Sequence, residues 1–293
     1  MIDRKLVESI VRESVTELLQ EEERKTAVPK PFVGDLVSLT RCDDGVCRPR
    51  QKPHAPVFDA EELAQIKAST PARLGQGRTG TRYLTSVYVG LRAEHAIAID
   101  AVQVEVPDDL PGKLGCLSLR TRCKDRAEFL LQPDLGRRLD DESARRLQAE
   151  GTRAPDVQLI CGDGLSSWAL IENGPALLPA LTQALQAEKL KVGKPLFVKF
   201  ARVGVQDEIG VILQARCTVI LVGERPGLGT GDSLSIYTAY APRLGQDNAE
   251  KDCISNIRPL GFKPEAAARE CASLLRRTFA AGGGGVKLTQ SGT

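Results

Sequence analysis

Three loops hold the residues best suited to chemistry. GDGLSS (162–167), ARVGVQDE (201–208) and ERPGLGTGDS (224–233) each follow a short apolar run: DVQLIC (156–161), KPLFVKF (194–200) and CTVILVG (217–223). Asp163 and Ser166 supply an acid and a hydroxyl at the first of these ends. Hydrolytic chemistry would need a base beside the serine, and no histidine lies near it in sequence. His54 sits among prolines and His95 in a helical stretch, so no triad is legible. Asp163 reads instead as a turn cap. Cys253, in KDCISNI, is a candidate nucleophile that nothing in the sequence activates, and an inert thiol on a cleft wall is the simpler reading.

The glycines of these loops raise the question of what lies against them. A dinucleotide would call for G-x-G-x-x-G directly after the first strand and opening a helix. CGDGLSSW has a single G-x-G and no third glycine, and in GERPGLG the proline at 226 interrupts any cradle of amides. There is no G-x-x-x-x-G-K-[ST]. Nicotinamide, flavin and nucleoside triphosphate are all disfavoured.

The elements that must position these loops follow from periodicity. DVQLIC, KPLFVKF, CTVILVGE and SLSIYTAY (233–240) read as strands. PALLPALTQALQAEKL (175–190), DEIGVILQA (207–215) and KPEAAARECASLLRRTFA (263–280) read as helices. Apolar strands alternating with helices predict a mostly parallel, Rossmann-like sheet over residues 151–281, covered on both faces, with ligands at the carboxyl ends of its strands. Residues 58–150 read as a smaller, mostly helical domain. Asp59 with Glu62 resembles a capping box, and Tyr83–Ile99 and LGRRLDDESARRL (135–147) show helical spacing. Between them, Arg73, Arg78 and Arg82 alternate with Gly75, Gly77 and Gly80, either as a solvated loop or as an interface that guanidinium groups and close backbone approach would suit.

At the N-terminus, Ile2, Leu6, Val7, Ile10, Val11, Val15, Leu18 and Leu19 form one apolar stripe over residues 1–20. Residues 21–57 lose that period and hold Pro29, Pro31, Pro49, Pro53 and Pro56, the composition of a linker. A helix on a tether has no core of its own. It either docks on a partner, which the linker favours, or folds back onto the body. Residues 282–293 read as a flexible glycine-rich tail.

Composition narrows the function classes. The chain of 293 residues is 42% hydrophobic and 27% charged, with a net charge of +2, which shows no polyanion-binding surface. Seven Phe, four Tyr and one Trp are few for base stacking, so nucleic acid is not an expected partner. No apolar run approaches the roughly 18 residues that a membrane helix requires. Eight Cys with no secretory signal point to reduced thiols in a cytoplasm. The spacings Cys42-x4-Cys47 and Cys116-x6-Cys123, with two His in all, argue against a zinc site.

Taken together, QPDLGRRL (132–139), DVQLICGDGLSS (156–167), LKVGKPLFVKFARV (190–203), DEIG (207–210), LVGERPGLGTGDSLS (221–235), YAPR (240–243) and CISNI (253–257) resemble the small (light) subunit of ethanolamine ammonia-lyase. They span most of residues 130–260. ARLGQGRTGTR (72–82) extends the likeness more thinly. The resemblance implies an adenosylcobalamin-dependent lyase that converts ethanolamine to acetaldehyde and ammonia. Its large subunit, a (β/α)8 barrel, would carry the substrate and the catalytic residues. This chain would supply one wall of the cobalamin cleft and no catalytic residue or metal ligand of its own. By motif, the family's cobalamin contacts fall on Val203, Glu224 and Cys253. Val203 and Glu224 also follow the second and third strands, as the sheet argument requires, whereas Cys253 is placed by motif alone. Glycines 227, 229 and 231 would let the backbone approach a corrin rim. Neither KPHAPV nor AEHAIA fits the D-x-H-x-x-G pattern that displaces the cofactor's own base, so dimethylbenzimidazole would remain on cobalt. The resemblance also likens residues 1–20 to helices that send enzymes into bacterial microcompartments, which would place the chain in such a cytoplasmic shell. Two other classes stay open: a stand-alone α/β nucleotide-dependent oxidoreductase, and a microcompartment adaptor.

Overall fold

The computed structural model describes residues 39–41, 47–49, 60–70 and 72–290. The N-terminal stripe, Asp59 and His54 therefore lie outside the described residues. The chain divides into two compact units, residues 1–88 and 89–293, whereas the texture of the sequence changes at 151.

In the first unit β1 (Leu39–Arg41) and β2 (Cys47–Pro49) pair antiparallel within the stretch that reads as linker. Helix α1 (Ala60–Ala68) follows, then a two-residue hairpin, β3 (Arg78–Thr79) and β4 (Arg82–Tyr83). The Arg78 guanidinium stacks 4.6 Å above the Tyr83 ring and donates to its hydroxyl at 3.3 Å. Helix α2 (Thr85–Gln103) begins two residues later than its sequence pattern and runs through the division.

The second unit is a six-stranded sheet in the order β10-β9-β8-β6-β7-β5. Its strands are β5 (Leu117–Arg120), β6 (Val157–Gly162), β7 (Leu196–Lys199), β8 (Cys217–Gly223), β9 (Leu234–Tyr240) and β10 (Lys251–Ile257). β5, β7, β6 and β8 are parallel; β9 pairs antiparallel with β8, and β10 pairs antiparallel with β9 and so runs in the direction of the parallel strands. The reason lies in connection length. The segment from Glu224 to Ser233 is long enough for a hairpin loop and too short for a helical crossover. All residues of β6 and β8 are buried, which is why both read as nearly continuous apolar runs, interrupted by Gln158 and Thr218 alone.

Short helices α3 (Leu110–Lys113) and α4 (Arg126–Leu131) flank β5. β5 lies inside the stretch expected to be helical and is nevertheless one of the sheet's two edge strands. α5 (Asp141–Glu150) blunts that edge: the Arg120 N–H donates to Ser143 Oγ at 2.8 Å, and Arg146 donates to the Ser118 carbonyl at 3.2 Å. The single helix expected over 135–147 is divided. A 3-10 turn covers Leu135–Arg137, Leu139 bridges to Thr121, and the Leu139 N–H donates to Glu208 Oε2 at 2.7 Å. Asp140 then caps α5 by accepting from Ser143 N at 2.7 Å. α6 (Ser167–Ala187) starts eight residues before its apolar pattern, because Ser166 caps it by accepting from Ala169 N at 3.2 Å.

α6 and α8 (Pro264–Ala281) cover one face, with Leu159, Cys161, Leu170 and Leu275 in its core. α7 (Val205–Leu213) and α5 cover the other, with Ile160, Val198, Ile209 and Ile220. The helices that follow the neighbouring strands β6 and β7 thus leave toward opposite faces, which opens a crevice between their ends. A short helix, α9 (Val286–Gln290), stands where the tail reads as frayed. Among the described residues no helix is long and apolar enough to cross a membrane.

Candidate functional site

The crevice holds an open cavity of about 350 Å³. Gly164, Ala201, Arg202, Val203, Glu224 and Tyr237 are among the residues that line it. Val203 and Glu224, which reach the site by separate strands, thus share one hollow. Val203 is half-buried in the turn that leads into α7, with its side chain against the core of that face. Glu224 directly follows β8. Its N–H donates to the Ser233 carbonyl at 3.0 Å, and its Oε2 accepts from Ser233 Oγ at 2.9 Å. Oε1 accepts from Ser235 Oγ and, at 3.3 Å, from the Asn256 N–H. The carboxylate is held by β9 and β10 rather than by an ion pair with its neighbour Arg225.

Cys253 lies on β10, directly opposite Tyr237 of β9, which in turn faces Ile220 of β8. Opposed residues of antiparallel strands project to the same face, so Cys253 and Tyr237 are adjacent. Their side chains hydrogen-bond to one another and to Ser235. A polar row therefore runs from Cys253 through Tyr237 and Ser235 to Glu224. Desolvation is the largest influence on both: it lifts the Cys253 thiol above its ordinary value and pushes Tyr237 up to about 12. Neither ionises at neutral pH, so Cys253 is not an activated nucleophile.

Asp163 is a fastener. Its carboxylate accepts from Phe200 N and Ala201 N at 2.9 Å each and lies 3.9 Å from Arg126, tying the end of β6 to that of β7. Burial raises it to about 6, against the pull of those two amides and Arg126. Arg126 also donates to the carbonyls of Gly164 at 2.8 Å and Leu165 at 2.7 Å, fixing the cavity's rim. Ser166, besides capping α6, donates to the Gly231 carbonyl at 2.6 Å.

The glycines have internal duties. A Cβ on Gly223 would overlap the Ser166 carbonyl oxygen, and one on Gly164 would lie 2.5 Å from Gly223 O, because the loop after β6 crosses the end of β8. Gly227 and Thr230 exchange backbone hydrogen bonds at 3.3 and 3.1 Å, with Gly229 between them at φ +79°. The hairpin loop accounts for these glycines without any ligand.

Arg202 and Tyr237 belong to the cavity and escaped sequence reasoning. Arg202 adjoins Val203 in FARV, and Tyr237 is two positions from Ser235 on the same face of β9, a signal that needs the strand pairing to be useful. Of the other candidates, His95 is exposed on α2. Cys116 and Cys161 hydrogen-bond one another, and Cys123 is buried beside Phe129 and Phe200. Among the described residues no cluster of three or more His, Cys, Asp or Glu side chains is arranged to hold a metal ion.

Comparison with known proteins gives this arrangement a context. Residues 60–289 match the family model described as ethanolamine ammonia-lyase light chain (EutC). The ethanolamine ammonia-lyase small subunit of Clostridium acetobutylicum is 40% identical over 215 residues, 73% of this chain and 89% of that one. The small subunit of Fusobacterium nucleatum is 40% identical over 228 residues, covering 78% and 77% respectively. With nearly the whole second unit inside the match, the chain belongs to the ethanolamine ammonia-lyase small-subunit family.

Proposed function

We propose that this chain is the small subunit of an adenosylcobalamin-dependent ethanolamine ammonia-lyase and forms one wall of the cobalamin cleft against a catalytic large subunit. The observation that carries the reading is the meeting of Val203 and Glu224 in one open cavity, with Cys253 joined to it through Tyr237. The donor set suits a large amphipathic ligand: an apolar Val203, a carboxylate with lone pairs left to accept from amides, and hydroxyl and thiol groups on an exposed strand. A corrinoid is larger than a drug-sized molecule, and 350 Å³ is at the low end of the roughly 300–1,000 Å³ of pockets that enclose one. This chain therefore offers a wall, and a partner must supply the rest.

When bound, adenosylcobalamin supplies the radical that abstracts hydrogen from ethanolamine, opening the way to acetaldehyde and ammonia. The residues on this side bind, orient and exclude water. Glu224, pinned by two serines, is a pre-set acceptor for the corrin's amide arms, and Val203 gives the ring an apolar surface. Cys253 and Tyr237, both protonated, are donors rather than bases. The test is to produce the chain with its large subunit and titrate the complex and each part with cobalamin. Tight binding by the complex alone supports the reading. Turnover of ethanolamine by this chain alone, or equal binding by the large subunit alone, overturns it.

The apolar stripe of residues 1–20 supports a second role, delivery of the enzyme into a bacterial microcompartment. Fused to a fluorescent protein in cells that make such shells, residues 1–20 should give puncta, and diffuse fluorescence refutes the assignment.

A further inference from the structure

The cavity wall carries more positive charge than the chain neutralises. Arg202 and Arg225 both line it. Arg202 is seated by its surroundings. Its Cγ lies 2.7 Å from where a Cβ on Gly136 would stand, its guanidinium stacks 4.2 Å from the Phe129 ring, and Nη2 donates to the Phe129 carbonyl at 2.8 Å. Phe129 is itself stacked on Phe200 at 6.0 Å. The guanidinium is thus held in place before any ligand arrives, and its Nε is buried without an acceptor.

The nearby acids are all engaged elsewhere. Asp134 lies 3.0 Å from Arg137, and Glu208 lies 3.7 Å from Arg138. Asp207 pairs with Lys251 at 3.0 Å, Asp163 accepts from two backbone amides, and Glu224 from Ser233 and Ser235. Among the described residues neither Arg202 nor Arg225 has a carboxylate partner. Burial lowers the Arg202 pKa, and the like charges of Arg126, Arg137 and Arg225 lower it further. A partner closing over this wall would strip water from guanidinium groups that have no counter-charge, which is costly unless an anion comes with it.

We infer that Arg202, with Arg225 beside it, forms a phosphodiester site. Resting on the corrinoid reading above, the group it holds is the phosphodiester of the cofactor's nucleotide loop. The planar fork of a guanidinium matches two phosphate oxygens, and a stacked arginine has little freedom left to lose on forming those bonds. The arrangement also explains why Glu224 faces the serines: turned toward the arginines, it would cancel the charge and be lost as an acceptor for amides.

The discriminating probes are cobalamin, cobinamide (which lacks the phosphodiester and the base) and inorganic phosphate, each measured by equilibrium dialysis against the complex with the large subunit. Arg202→Met keeps the stem on Phe129. It should weaken cobalamin about tenfold to a hundredfold, as loss of a charge-assisted hydrogen-bond pair does, and leave cobinamide within about twofold. Arg225→Gln, at an exposed position where folding is not at stake, should act in the same direction and more weakly. Equal losses for cobalamin and cobinamide would overturn the assignment and make Arg202 a shaper of the cavity or a contact to the large subunit. Phosphate binding lost in Arg202→Met, with cobalamin unaffected, would assign the site to a free anion and overturn its link to the cofactor. If the unsubstituted complex binds neither corrinoid, the corrinoid reading itself falls and takes this ligand with it.

Discussion

Lys251→Met removes half of a buried ion pair that joins two parts of the candidate site. The Lys251 ammonium lies 3.0 Å from the Asp207 carboxylate, the side chains are 3% and 5% exposed, and the ammonium also donates to the Gln246 carbonyl at 3.1 Å. Asp207 is in the first turn of α7, just after Val203, and Lys251 opens β10 two residues before Cys253. Methionine fills the space of the stem without the charge, so the main effect is a carboxylate left buried and unpaired. Such a loss costs about 3–5 kcal/mol. At about 2–4 °C per kcal/mol for a domain of this size, the melting temperature should fall by about 6–20 °C. Burial already raises the Asp207 carboxyl above its ordinary value, against the pull of Lys251, and without Lys251 it rises further. A carboxyl with a raised folded pKa destabilises only where it ionises: its cost is absent below the ordinary value and grows as pH rises through the folded value. The deficit of Lys251→Met should therefore shrink on acidification. Lys251→Met/Asp207→Leu should recover most of the lost stability, since no buried charge remains. Thermal melts of the single and double variants at neutral and mildly acidic pH decide the matter. A single-variant loss below about 1 kcal/mol, or a double variant no better than the single one, refutes the reasoning.

Asp163→Asn should flatten part of the pH dependence of stability. With the folded carboxyl at about 6 against an ordinary 3.8, the native state holds the extra proton between those values, so stability falls by about 3 kcal/mol as pH rises through that window. Urea midpoints at pH 4.5 and 7 should show about 2 kcal/mol of this difference in the parent, since the lower pH already lies inside the window, and none of it in the variant. Gly223→Ala forces a Cβ into the Ser166 carbonyl oxygen and should cost about 3 kcal/mol or more, read as a lowered denaturation midpoint. Glu224→Gln removes a charged acceptor while keeping the shape. It should weaken cobalamin binding to the complex about tenfold with an unchanged circular dichroism spectrum, and unchanged affinity would remove Glu224 from the contact set.

What the sequence disclosed and what it withheld divide along the range of the forces involved. β6 and β8 are legible because burial on both faces makes the runs apolar but for Gln158 and Thr218, and the ends of the parallel strands mark the positions of Val203 and Glu224 along the chain. β5 was not: LSLR is four residues whose alternate positions are exposed, too short for a period to show, and its place is fixed by pairing with β7, far along the chain. The division of 135–147 likewise depends on Glu208, a remote residue that takes the Leu139 N–H. β10 hid for the same reason: as an edge strand with much of one side exposed it lacks an apolar signature, so Cys253 had a motif but no position. The glycine-rich loop offers the sharper lesson. Its glycines fall where a ligand is expected, yet the hairpin and the crossing at Gly164 and Gly223 already demand them. The cavity is lined instead by side chains between the glycines and beside them, Glu224, Arg225, Arg202 and Tyr237 among them. These meet only because the helices after β6 and β7 part to opposite faces, a consequence of strand order that no local pattern in the chain encodes.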